Sequence, residues 1–223
     1  MFTKRPIEYR RHLPHYQHIG ATFFMTWRLF GSLPKNIIIK HQLDRDRYIS
    51  TLRADQLSPE ELERAISIAH GEYFHRCDEA LDYSDTGPNW LKEPPIANVV
   101  VEKLRQYDGQ YYQLDAFCIM SNHVHALMDF SIQLPECEDD FQQEQYKNLD
   151  EVMQLIKGGS AFRANQILNR KGKFWASESW DRYIRNEKHY RNVVTYILNN
   201  PVKAGICSCW TEHPYTWSRE GGL

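Results

Sequence analysis

The chain has 223 residues, a formal net charge of −2, 42% hydrophobic and 13% aromatic residues. That is enough for one good-sized domain, or a domain with an insertion, and its charge argues against a uniformly basic nucleic-acid binder. No apolar run approaches the ~20 residues needed to cross a bilayer, the basic N-terminus has no apolar segment behind it to make a signal peptide, and five cysteines without framework spacing point to a reducing cytoplasm.

Charge is unevenly spread. Residues 157–191 carry nine Lys/Arg against three acids, and residues 1–28 carry five against one, with three histidines besides. The acids gather in 54–93 and 134–151. Such segregation allows a local basic groove on a near-neutral protein, although each run alone also reads as a solvated face. Residues 1–18, broken by Pro6 and Pro14, read as an extended basic arm. Within it Tyr9, Arg10 and Arg11 offer a stacking ring and two forked donors, chemistry suited to bases and phosphates.

Residues 20–30 are β-branched and aromatic, and predict the first strand, ended by the Gly31-Ser32-Leu33-Pro34 turn. Residues 35–50 are ambiguous between helix and strand. Ser58-Pro59-Glu60-Glu61 is a helix start, with serine at the cap, proline in the first turn and glutamate three on; this helix should end near Asp82. A loop over 83–94 and a second helix over about 96–107 follow. Residues 131–148 read as an acidic surface loop. A helix opening at Leu149-Asp150 is interrupted by Gly158-Gly159, a break or a close backbone approach. Residues 174–185 contain a short strand, and 187–200 form a helix stopped by Pro201. The tail looks irregular. The order predicts an α+β fold: an antiparallel sheet with helices packed on one face, of ferredoxin-like character.

The informative stretch is 113–130, QLDAFCIMSNHVHALMDF, two apolar runs about a Ser121-Asn122 turn and so a β-hairpin. Its second strand opens His123-Val124-His125. Residues two apart share a face of a strand, so both imidazoles project together while Val124 turns to the core. Alone, His-x-His in a strand is ordinarily two polar residues on a solvated face. Here the last helix adds Tyr196 and Asn200, four apart and on one face. An amide oxygen near a helix C-terminus favours a cation; two imidazoles and one amide oxygen suit Mg²⁺ or Mn²⁺ as the divalent cofactor. Tyr196, one turn back, could attack an electrophile polarised by that ion. Taken singly, Tyr196 reads as a packed tyrosine and Asn200 as a helix stop; their joint occurrence with the histidines is the signal.

Three stretches carry a specific resemblance: YRRHLPHYQHIGATFFMTWRL at 9–29, AFCIMSNHVHALMDF at 116–130, and WDRYIRNEKHYRNVVTYILNNPVKAGI at 180–206. The chain resembles the REP-associated tyrosine transposases, within the single-tyrosine HUH superfamily of insertion-sequence transposases. The resemblance implies one transposase domain over 1–223 with an HUH nuclease fold, His123 and His125 as the metal pair, Asn200 as third ligand (glutamine in other members) and Tyr196 as nucleophile. Tyr183 and Tyr190 are rivals that do not share a face with Asn200. It implies a DNA endonuclease and strand transferase acting on single-stranded, hairpin-forming DNA related to repetitive extragenic palindromes, through a 5′-phosphotyrosine. It implies a cytoplasmic, nucleoid-associated protein, monomer or homodimer. The acidic helical segment of about 32–95 departs from the family pattern as an insertion. Tyr9, Arg10 and Arg11 are expected to read a guide sequence beside the hairpin, and Lys157, Arg163, Lys171, Lys173, Arg182 and Arg185 to contact phosphates. Two rivals remain at this stage: a hairpin-DNA-binding regulator without cleavage, and a metal-dependent nuclease using water.

Overall fold

The structure, a computed structural model, describes residues 7–10, 14–83 and 86–221. It divides the chain into two compact units, one running up to Phe30 and from Asn89 onward, the other Gly31–Pro88. The second unit falls almost wholly within the segment of about 32–95 that the sequence sets apart.

The first unit is built on a five-stranded, wholly antiparallel sheet. Its strands are β3 (Thr22–Leu29), β4 (Gln113–Ile119), β5 (His123–Asp129), β6 (Trp175–Tyr183) and β7 (Thr216–Ser218), in the order β6-β3-β5-β4-β7. Ahead of it, β1 (Ile7–Arg10) and β2 (Pro14–Gln17) pair as a separate ribbon, with Tyr9 opposite His15 and Arg10 opposite Pro14. The expected arm is therefore hydrogen-bonded backbone. Tyr9 and Arg10 lie on β1, and Arg11 lies outside the described residues.

The central strands bury both faces, which is why β3 and β5 read as continuous apolar runs and not as alternating ones. Phe23, Met25 and Trp27 of β3 and Val124, Ala126 and Met128 of β5 form one core with Val100 and Leu104 of α3 (Pro94–Gln106) and Val152 and Ile156 of α4 (Leu149–Ile167). The opposite face carries α5 (Glu187–Lys203), which packs on β4, β5 and β7. Helices thus cover both faces, not one. The reason lies in β5: period 2 sends the histidines to the side away from Val124, and α5 is the helix whose apolar residues Val193, Val194, Ile197 and Leu198 close that side.

Four other expectations change. Gly158 and Gly159 do not break α4. Gly159 is a close approach: a Cβ there would come within 2.7 Å of Lys103 Cε on α3. Ser160 then locks the helix to the sheet, its Oγ donating to the Ile156 carbonyl at 2.6 Å and accepting Trp175 Nε1 at 2.9 Å. Pro201 does not end α5. It lies in the last turn, where a missing N–H forfeits a single bond, and the helix runs on to Lys203. The tail is not wholly irregular, since 216–218 add an edge strand beside β4. The 131–148 loop is only partly surface: Phe141 and Tyr146 are buried, and the Gln133 side chain holds the backbone of Tyr111 and Lys147.

The second unit is a helical hairpin, α1 (Lys35–Ala54) packed on α2 (Pro59–Asp82). The ambiguous 35–50 region is helical: α1 buries Ile49 and Leu52, and α2 buries the apolar stripe Ala69, Tyr73, Cys77 and Leu81. The capping box forms as read: Glu61 N–H donates to Ser58 Oγ at 3.3 Å and Ser58 N–H donates to Glu61 Oε2 at 3.0 Å.

Candidate metal and tyrosine site

The antiparallel register of β3 and β5 sets Thr26 opposite His125 and Arg28 opposite His123. Both histidines are fully buried. His123 Nδ1 lies 2.7 Å from Asn122 Oδ1, a carbonyl oxygen that can only accept, so Nδ1 carries the proton and Nε2 a lone pair. His125 Nδ1 lies 2.7 Å from Thr26 Oγ1, and its Nε2 lies 3.1 Å from the side-chain amide of Asn200. The two Nε2 atoms face one another at 3.1 Å. Two imidazole nitrogens this close share either a proton or a cation.

The donor set fits a metal. Two nitrogens about 2.1 Å from one ion, at a right angle, stand about 3 Å apart. Asn200 Oδ1 is buried with no hydrogen-bond partner among the described residues. Rotating the amide exchanges nitrogen for oxygen and turns that orphan toward the imidazoles. Burial, with a smaller contribution from the Lys203 charge, pushes His125 down to about 3. The ring is therefore neutral, the form that binds metal.

Tyr196 lies one turn before Asn200 on α5. Its ring centroid is 5.5 Å from that of His125 and 5.7 Å from that of Phe24, which itself stacks on His125. The rival tyrosines are elsewhere. Tyr183 is paired with Phe23, on the far face of the sheet, and packs edge-on against His18. Tyr190 hydrogen-bonds the Asp115 carboxylate, and burial together with that negative charge raises its phenol well above the usual range. A phenol held protonated by a carboxylate is a poor nucleophile.

The six basic residues expected at phosphates are not brought together. Arg182 stands opposite Phe24 in register, on the Tyr196 side of the sheet, and Arg185 follows it over the Tyr183 ring. Both are exposed, as are Lys171 and Lys173. Lys157 is on α4, across the sheet, and its ammonium donates to the Ala176 carbonyl and to Ser179 Oγ, each at 2.9 Å. Arg163, also on α4, pairs with Glu102. A cation tied to its own fold has less to offer a phosphate.

The sequence reading missed Thr26 and Asn122. Asn122 had a signal, being the turn residue next to His123; Thr26 had none until the strand register was known. Thr26→Val keeps the shape and removes the partner of His125 Nδ1. It should weaken Mn²⁺ binding about 10–100-fold, measured by isothermal titration, as loss of such outer partners does. Unchanged affinity would show that the threonine does not orient the ring.

No protein-family model matches the chain. It is 32% identical over 106 residues to a protein of Haemophilus influenzae named as a REP-associated tyrosine transposase, covering 47% of this chain and 58% of that one. It is 26% identical over 106 residues to the REP-associated tyrosine transposase of Escherichia coli K12, covering 48% and 52%. The chain thus spans a little over half the length of the curated relatives it matches. Among solved structures it is similar to a REP-associated tyrosine transposase bound to a REP hairpin, with 19% identity, a TM-score of 0.45, and coverage of 94% of this chain and 81% of that one. The resemblance read from the sequence is the one these relatives carry. Among the described residues no helix is long and apolar enough to cross a membrane.

Proposed function

We propose that this protein is a metal-dependent tyrosine transposase that cleaves and rejoins hairpin-forming single-stranded DNA. The observation that carries the reading is the convergence on one sheet face of two back-to-back imidazoles, the buried amide of Asn200, and the Tyr196 ring one helical turn away. A binding protein would have no use for two facing imidazole nitrogens beside a buried amide and a tyrosine. The similarity to REP-associated tyrosine transposases supports the same reading.

In this mechanism His123, His125 and Asn200 hold Mg²⁺ or Mn²⁺. When bound, the ion polarises the scissile phosphate and stabilises the charge that develops on it. Tyr196 Oη forms a bond to phosphorus as the P–O3′ bond breaks. The phenol proton leaves to solvent, and the departing 3′ oxygen takes one up as a hydroxyl. The DNA stays linked through its 5′ phosphate. Because one phosphodiester replaces another, a 3′ hydroxyl can reverse the step without ATP. Thr26 and Asn122 hold the imidazoles in the ligating tautomer, and Phe24 wedges Tyr196 against His125.

The DNA path runs past Arg182 and Arg185 toward Lys171 and Lys173, with Tyr9, Arg10 and Arg11 reading the unpaired guide. Lys171→Ala or Lys173→Ala should lower affinity for all hairpins alike and reduce the slope of log K against log salt by about 0.7–0.9 each. Fluorescence anisotropy over a salt series measures this, and an unchanged slope removes that residue from the path. The reading as a whole is tested by incubating the protein with Mn²⁺ and an end-labelled hairpin oligonucleotide, then running denaturing gels. A covalent protein–DNA band that chelator abolishes is expected. Cleaved DNA with no adduct would favour a nuclease using water, and binding with neither would favour a regulator.

A further inference from the structure

The helical hairpin of the second unit contains a polar pocket of about 390 Å³, within the range of small-molecule sites. Asp44, Arg45 and Tyr48 face it from α1, and Glu72, Tyr73 and Arg76 from α2. Both sets follow helical i, i+3/i+4 spacing, so each is one continuous stripe. An ordinary helix pair would fill this position with apolar side chains. Instead, two guanidiniums, two carboxylates and two phenol rings line an open space.

Arg45 is the decisive residue. Its side chain is only 8% exposed. Nε and Nη2 donate to Asp46 Oδ1 at 2.9 and 2.7 Å, and the guanidinium lies 4.7 Å over the Tyr73 ring. Nη1 is buried and has no hydrogen-bond partner among the described residues, and neither has Nδ1 of the neighbouring His41. A buried guanidinium N–H without a partner carries a heavy desolvation penalty, which a ligand that accepts from it would relieve.

We propose that this pocket binds a guanine nucleotide unit. Guanine offers both halves of the required chemistry. Its O6 and N7 accept from a guanidinium, and its N1–H and N2–H₂ donate to a carboxylate such as Asp44 or Glu72. Adenine lacks the O6 acceptor and presents N1 as an acceptor to the carboxylates. Tyr48, 48% exposed at the rim, supplies a stacking face, and exposed Arg76 is free to meet the phosphate. This deepens, and rests on, the single-stranded DNA reading: the natural ligand is an unpaired guanine of the DNA substrate, taken out of the stack.

The test titrates the full-length protein with GMP, AMP and inorganic phosphate by calorimetry, in EDTA so that no metal-bound site contributes. GMP binding is expected, with AMP at least tenfold weaker and phosphate weaker still. Tyr48→Ala and Arg76→Ala, both at exposed positions and each checked for an intact fold by circular dichroism, should each weaken GMP about tenfold or more. Absence of GMP binding, or binding indifferent to both substitutions, overturns the proposal. Equal binding of phosphate and GMP overturns the base-reading part and leaves an anion site. None of these outcomes depends on cleavage, so failure of the transposase reading would show separately, as a missing adduct in the wild type.

Discussion

Tyr196→Phe is expected to abolish adduct formation and cleavage, by at least about a thousandfold, while hairpin affinity stays within about twofold of wild type. Removing the atom that forms the covalent bond removes the step itself, and losses of that order or greater follow deletion of a nucleophile. The ring that packs on Phe24 and His125 is retained, so little stability should be lost. Tyr190→Phe is the informative control. It removes the hydroxyl bonded to Asp115, leaving a carboxylate that is 4% exposed with one partner fewer. That change should lower the melting temperature by several degrees yet leave the adduct intact below it. Single-turnover assays on both variants, with thermal melts, decide the matter. An adduct surviving in Tyr196→Phe and vanishing in Tyr190→Phe would reassign the nucleophile and the mechanism with it.

The parts of this molecule that were legible in sequence are those whose cause is local. The capping box at Ser58 and Glu61, the turn at Ser121-Asn122 and the period-2 placement of His123 and His125 all depend on neighbours within a few residues. The placement of Tyr196 and Asn200 on one helix face is equally local. What was hidden depends on partners far along the chain. Thr26 reaches His125 across 99 residues, and no pattern within β3 announces it. The edge strand at 216–218 is three residues long and exists because β4 offers an open edge. Pro201 reads as a stop by propensity, yet its place in the final turn of α5 forfeits too little to end the helix. The charge of 157–191 looked like one basic surface, but the fold divides it. Lys157 and Arg163 are tied to their own fold from α4, while Arg182 stands on the Tyr196 side of the sheet. Charge density along a sequence says nothing about which face of a sheet each residue will reach.

Loss of either imidazole is expected to remove the metal and the chemistry together. His123→Ala and His125→Ala should each reduce Mn²⁺ affinity beyond detection at micromolar protein and abolish the adduct. Asn200→Ala should weaken Mn²⁺ less, and Asn200→Gln should restore part of it if the longer amide can still present its oxygen. The variants also separate two costs. His125→Ala leaves a cavity and strands the Thr26 hydroxyl and the Asn200 amide, so it should destabilise the fold by about 2–4 kcal/mol even without metal. Asn200→Ala removes an amide whose Oδ1 has no partner among the described residues, so its cost in stability should be much smaller than its cost in metal binding. Acidification probes the same site. His125 titrates near 6.5 when unfolded and is held down to about 3 in the folded protein. Between those values the unfolded chain binds a proton that the native chain refuses, so stability is unaffected above pH 6.5 and falls as the pH drops toward 3. Bound Mn²⁺ should steepen that fall, because protons then compete with the ion for the same nitrogen. Thermal melts with and without Mn²⁺ across pH 4–8 measure both effects. If added Mn²⁺ raises the melting temperature of His125→Ala as much as that of the wild type, the ion binds somewhere other than between these imidazoles.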